Sequence, residues 1–265
     1  MSKKSLAFCL AGALLLAALP QLAWATPSGL NNIPTADTAP QGTLVLQTYS
    51  TVGGGARDDL NFGFKTGLEF KALRFEFGAD SHVYPGLGGP VVVQAKVAYP
   101  LGEHLPTLAG GVANLAFTDH QRDRSGQPFG YGVLTEDFGF LRVTAGCGVQ
   151  DGDKLPFVGL DKTFKLTRKK VVAVSEGKSV TTRETTVAGE GQGTGSGDPN
   201  SSLVTRDLFT LRADAVKQHN NDDWLYSAGV LVPICKYLVF ETWGNFPNNG
   251  ASPSVTLKAD VVIPF

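Results

Sequence analysis

The chain has 265 residues, 42% apolar and 18% charged, with a formal charge of −1. A charged fraction below the roughly 25% usual for soluble domains argues against a disordered or acidic-tail protein. The neutral balance argues against a nucleic-acid binder, which needs a basic surface for phosphates, and a mean hydropathy of zero does not suit a bundle of membrane helices.

Lys3 and Lys4 precede an apolar run from Leu6 to Leu19, and the small-residue site Ala23-Trp24-Ala25 closes it. That order predicts a secretory signal peptide over residues 1–25, removed after export. A membrane anchor needs roughly 20 continuous apolar residues, and Pro20-Gln21 interrupts the run first. Cys9, deep in the run behind bulky Phe8, does not suit a lipidation site. Residues 26–265 are read as one domain.

From Leu60 onward the period is two. Leu60, Phe62 and Phe64 alternate with Asn61, Gly63 and Lys65, and Leu73, Phe75, Phe77 and Ala79 with Arg74, Glu76, Gly78 and Asp80. Val91, Val93, Ala95, Val97 and Tyr99 alternate with Gln94, Lys96 and Ala98. The same holds for Leu141 to Val149 and for Trp224 to Val232. Side chains of a strand point alternately to opposite faces, so these are two-sided strands. Gly/Pro/Asn/Asp clusters punctuate them. About twelve strands result, near 42–52, 58–68, 72–80, 91–100, 107–117, 129–135, 139–149, 155–165, 204–217, 222–233, 236–246 and 253–265. Many are close to the 9–11 residues, roughly, that a tilted strand needs to cross a bilayer.

A soluble sandwich also alternates, but its polar face meets water and favours Lys, Glu and Thr. Here the polar face carries Gly, Ala, Ser and balanced charges, which suits a confined lumen. The chain ends on the apolar row Val255, Leu257, Ala259, Val261, Ile263, Phe265. This resembles the terminal strand of bacterial outer-membrane barrels, whose last aromatic the barrel-assembly machinery reads; the resemblance implies that Phe265 is an assembly signal. The expected fold is all-β, a closed antiparallel up-and-down transmembrane β-barrel of about twelve strands, with ten to fourteen allowed. The expected location is the bacterial outer membrane, with lipid as its surroundings.

Gly29-Leu30-Asn31-Asn32-Ile33-Pro34-Thr35-Ala36, followed by Gln41-Gly42-Thr43-Leu44, resembles the opening of YjbH-type outer-membrane barrels. Thr66 to Asp80, ending in Gly-Ala-Asp, is similar to that family's hairpin. The resemblance spans residues 29–117 and the last strand. It implies a part in exopolysaccharide export and brings no catalytic residue with it.

Residues 167–203 break the pattern with a basic start, an apolar patch and a Gly/Ser-rich tail, and are read as an irregular insertion. Tracing back from a periplasmic Phe265 puts them on the side where turns should be short. Either an extra hairpin forms around Glu176-Gly177, or the strand count is off by one and the stretch is an extracellular loop.

No catalytic or metal-ligating set emerges, and no cofactor is expected. His82 beside Asp80-Ser81, or His120 beside Asp119, could serve as the base of a rim hydrolase. Turn histidines are the simpler reading, and no serine sits in a nucleophile elbow. The His219–Asp223 run reads as a hairpin turn. Cys147 and Cys235 are expected to be free. By parity the lumen-facing charges are Lys65, Arg74, Glu76, Asp80, Lys96, Arg142, Asp161, Lys165, Arg212, Asp214, Lys258 and Asp260. Their basic excess suggests a conduit with slight anion preference; cross-strand pairing that fills a narrow barrel is the alternative. The function read from all this is a narrow pore or envelope-export component for a polysaccharide or small solute. A lipid or envelope hydrolase and a purely structural or adhesive barrel are the other readings.

Overall fold

The protein is described by a computed structural model covering residues 28–54, 60–82, 91–116, 127–172, 182–187, 201–219 and 222–265. The expected signal peptide and His120 lie outside these residues. Every described element is a strand: β1 Thr43–Gly53, β2 Asn61–Phe70, β3 Leu73–His82, β4 Val91–Pro100, β5 Thr107–Ala116, β6 Phe129–Asp137 and β7 Arg142–Gln150. There follow β8 Asp153–Val172, β9 Thr182–Val187, β10 Ser201–Lys217, β11 Trp224–Cys235, β12 Leu238–Pro247 and β13 Ser254–Pro264.

Neighbouring strands pair antiparallel in chain order from β1 to β8 and from β10 to β13. Two contacts turn this sheet into a ring. β13 pairs with β1 over eleven residues, from Thr43↔Pro264 to Gly53↔Ser254, and β10 pairs with β8. The result is a closed twelve-strand antiparallel β-barrel. Closure gives each strand of the ring a neighbour on both sides, which a sheet surrounded by lipid requires. Phe265 completes the seam by donating its N–H to Gly42 O at 2.9 Å, while its side chain is 81% exposed.

The period-two reading becomes a physical inside and outside. On β2, Asn61, Gly63, Lys65 and Gly67 are buried, and Phe62, Phe64 and Leu68 are exposed. On β4, Val92, Gln94, Lys96 and Ala98 are buried, and Val91, Val97 and Tyr99 are exposed. The outer face is an apolar belt with aromatics toward both rims. Phe70, Tyr99, Phe138, Phe140 and Phe265 lie at the end where β13 finishes, and Phe62, Tyr226 and Phe246 at the other. Such girdles mark the two interfaces of a membrane barrel.

The chain forms two compact units, residues 1–162 with 211–265 and residues 163–210. The first holds the barrel. In the second, β8 runs on to Val172 and pairs with β9 from Thr167↔Val187 to Val172↔Thr182. Phe164 stacks on Phe209 at 4.7 Å, and the hydroxyls of Thr163 and Thr210 lie 2.9 Å apart. Residues 167–172 and 182–187 are therefore paired strand, which fits the extra-hairpin alternative around Glu176-Gly177 rather than irregular chain; the turn itself lies outside the described residues. Among the described residues β9 pairs with β8 only, so the ring has twelve strands. The short turns after Phe70 and Cys235 lie at the end where β13 finishes.

Phe77 sits mid-strand on the outer face, 44% exposed. Phe77→Arg should lower stability in bilayers by about 2–4 kcal/mol, with Phe77→Leu near wild type. Denaturant titration in lipid vesicles checks this; equal losses would mean the belt does not meet lipid.

Candidate functional site

Residues 28–40 run inside the barrel. Their hydrogen-bond partners lie on β3, β4, β6, β7, β10, β11 and β12, so the segment crosses the enclosed space. It folds back on itself through Leu30 N–H to Ile33 O at 3.0 Å and Thr35 N–H to Ser28 O at 3.2 Å. Glycine is required at position 29, because a Cβ there would collide with the Ile33 carbonyl. On the wall, a Cβ on Gly159 would meet the methyl groups of Leu30 and Ile33.

At the base of the segment, Glu76 of β3 gathers both of its ends. The carboxylate accepts from Ser28 N–H at 2.8 Å, Ser28 Oγ at 2.5 Å and Ala39 N–H at 2.7 Å. Lys96 of β4 lies 3.6 Å from Glu76 and donates to Ser28 O at 2.8 Å and Thr35 O at 3.2 Å. Both side chains are 1% exposed. A buried carboxylate is tolerable only when paired and hydrogen-bonded, and here the segment supplies the hydrogen bonds.

Along one side, Ala36 N–H donates to Thr135 Oγ1 at 2.9 Å. Asp37 receives Arg142 Nη1 on both oxygens, at 2.9 and 2.7 Å, while Arg142 Nε binds Asp161. At the tip, Asn31 and Asn32 contact Asp214, Ser227, Trp243 and Asn245. Between these polar anchors Leu30, Ile33 and Ala36 join an apolar cluster with Ala98, Ala109, Tyr131, Val133 and Phe157.

The cross-section is consequently closed around the segment. Thr35 and Thr144 are 0% exposed, Glu76 1% and Val133 2%. An open aqueous channel would leave inward side chains accessible. A twelve-strand interior is wider than the eight-strand case that side chains alone fill, and residues 28–40 take up the difference.

Ten of the twelve charges read from parity lie on the inner face or are largely buried. Lys65, Glu76, Asp80, Lys96, Asp161, Asp214, Lys258 and Asp260 are buried, and Arg142 and Arg212 are half-buried. Two lie elsewhere. Arg74 shares the inward parity but sits one residue past the β2–β3 turn, exposed, with Glu69 3.9 Å away. Lys165 is exposed and belongs to the second unit. Parity fixes a face, not a depth, so it could not tell a rim from the lumen. Glu241 of β12 is the inward acid that parity counting left out. It joins Arg212 at 2.7 Å and Lys258 at 3.3 Å, and Lys258 also meets Asp260 at 3.0 Å. With Arg74 and Lys165 set aside and Glu241 and Asp37 included, acids outnumber bases among these inner charges, so the basic excess read from parity is not found there.

The side chain of His82 lies outside the described structure. His82 ends β3 beside Asp80, whose carboxylate accepts from Gln47 Nε2 at 2.6 Å inside the barrel. His219 lies in the turn after β10, with Nδ1 3.0 Å from Asp153. Cys147, on the outer face, and Cys235 are free thiols.

No family model and no curated protein matches the chain. Among solved structures, the KdgM porin aligns with a TM-score of 0.48 at 6% identity, over 83% of this chain and 98% of that one. The same figures hold for the KdgM porin in complex with disordered oligogalacturonate. The NanC porin aligns with a TM-score of 0.44 at 9% identity, over 82% of this chain and 98% of that one.

Glu76→Gln should destabilise the folded barrel by about 3 kcal/mol or more, because it removes acceptors and leaves Lys96 without its counter-charge. Asp37→Asn should cost about 1 kcal/mol, since Arg142 keeps Asp161. Urea titration in detergent separates the two, and equal losses would contradict the central place of Glu76.

Proposed function

We propose that this chain is an outer-membrane pore whose conduit is closed by its own N-terminal segment. One observation carries the reading: residues 28–40 fill a polar, charged lumen and are held there largely by hydrogen bonds. The neutral bonds contribute about 0.5–1.5 kcal/mol net each and those to Glu76, Lys96, Asp214 or Arg142 about 1.5–3, and water or solute can replace them. The aromatic girdles support a membrane location, and Phe265 at the β1–β13 seam is the assembly signal in this reading. If the signal peptide is cleaved after Ala25, the closing segment starts within three residues of a free chain end, so one end of it can withdraw.

Within this class we infer a part in envelope export of a polysaccharide or small solute. The support for it is that the Gly29–Ala36 stretch resembling YjbH-type barrels is the closing segment itself. The reading includes no catalytic step and no cofactor.

The test is conductance in planar bilayers. Asn31→Ala, Asn32→Ala and Asp37→Ala together remove the tip and side anchors while leaving the wall unchanged. Wild type should be closed most of the time, and the triple variant should raise the open fraction at least about tenfold, the effect of losing more than 1.4 kcal/mol of hydrogen bonds. A triple variant that folds, shown by heat-modifiable gel migration, yet carries no current would contradict the pore.

A further inference from the structure

The tip of the closing segment exposes a property of the wall it touches. Asn32 presents one planar carboxamide to β12. Its Nδ2 donates to Asn245 Oδ1 at 2.8 Å, and its Oδ1 accepts from Trp243 Nε1 at 3.3 Å. Two residues on the same face of one strand thus offer an acceptor and a donor to a single amide. Next to them, Asp214 of β10 accepts the Asn32 N–H at 3.1 Å and the Ser227 hydroxyl at 2.7 Å. Ser227 Oγ in turn accepts from Asn31 Nδ2 at 2.9 Å.

The wall builds this patch without help from the segment. Ser227 and Asn245 are direct cross-strand partners of β11 and β12, and Trp243 lies two residues along. Asn245 Nδ2 donates to Ser254 Oγ at 3.3 Å and Thr256 Oγ1 at 3.2 Å on the neighbouring β13. With its amide nitrogen committed to the wall, Asn245 turns its oxygen toward the lumen. All four residues are buried, from 4% exposure for Ser227 to 8% for Trp243. The segment covers these groups; when it withdraws, their donors and acceptors face the conduit, where a solute with the same pattern can take its place.

We propose that Asp214, Ser227, Trp243 and Asn245 form a solute subsite for a neutral carboxamide, which Asn32 occupies as an internal mimic in the closed state. The inference rests on the segment leaving the lumen. Trp243 N–H reads the amide oxygen, Asn245 Oδ1 reads the amide N–H, and Asp214 takes an adjacent hydroxyl or N–H donor. The Asp214 carboxylate disfavours anionic solutes. An acetamido sugar and an Asn-containing peptide both present this chemistry, and the experiment separates them.

The experiment uses the full chain carrying Asn31→Ala, Asn32→Ala and Asp37→Ala, which releases the tip and the side of the segment. Titration calorimetry on detergent-folded protein measures N,N′-diacetylchitobiose, cellobiose and the blocked peptide Gly-Asn-Asn-Gly, independently of conduction. One amide probe should bind at least about tenfold more tightly than cellobiose, and the stronger of the two identifies the source. Trp243→Phe, which keeps a ring but removes the N–H, should weaken that probe by about five- to tenfold, consistent with one hydrogen bond. Asn245→Leu provides the same check on the acceptor. Equal binding of cellobiose, absence of binding, or no effect of either wall substitution would overturn the subsite. A variant that binds the amide but never conducts would instead count against the pore, so the two failures are distinct.

Discussion

One carboxylate organises the interior. Glu76 is buried on the barrel wall, and burying it without partners would cost several kcal/mol. Lys96 supplies the counter-charge, and Ser28 and Ala39 supply the hydrogen bonds. Because those two residues are eleven apart in the chain, satisfying Glu76 folds the intervening segment into the lumen. The Asn31-Asn32 tip and the Asp37–Arg142 pair then find their places on other strands.

This constraint explains why the barrel has an unusual inner face. A twelve-strand ring encloses more space than its own side chains fill. The wall opposite Leu30 and Ile33 is therefore apolar, with Tyr131, Val133 and Phe157 turned inward. Elsewhere it is charged and internally paired, as in the Arg212–Glu241–Lys258–Asp260 chain. In the proposed gating, the packed patch orders the closed state and the hydrogen-bonded ends allow it to open.

The barrel was legible in the sequence because period-two alternation runs through the strands from Asn61 to Phe265, broken only over 167–203. The breaks in that legibility have physical causes. Trp243 lies on the inner face beside Glu241 and Asn245, because the closing segment needs a donor there; reading every aromatic as lipid-facing would misplace it. Phe157 follows the same logic. Arg74 has the inward parity but is exposed at the second rung from the β2–β3 turn, and Lys165 falls in the separate unit of residues 163–210. The segment itself left only a faint signal. Gly29 to Ala36 has no strand period, and its role arises from contacts to residues 37 to 213 positions away, which no local pattern encodes.

The claim on which all this depends is that residues 28–40 occupy the lumen. Reactivity of a cysteine at Ile33 tests it most directly, with Cys147 and Cys235 replaced by alanine and a bulky polar thiol reagent applied to folded protein. Ile33 is 3% exposed, so Ile33→Cys should react at least about a hundredfold more slowly than Asn249→Cys in the exposed turn before β13, and unfolding should abolish the difference. Equal rates in the folded protein would place the segment outside the barrel and contradict the account.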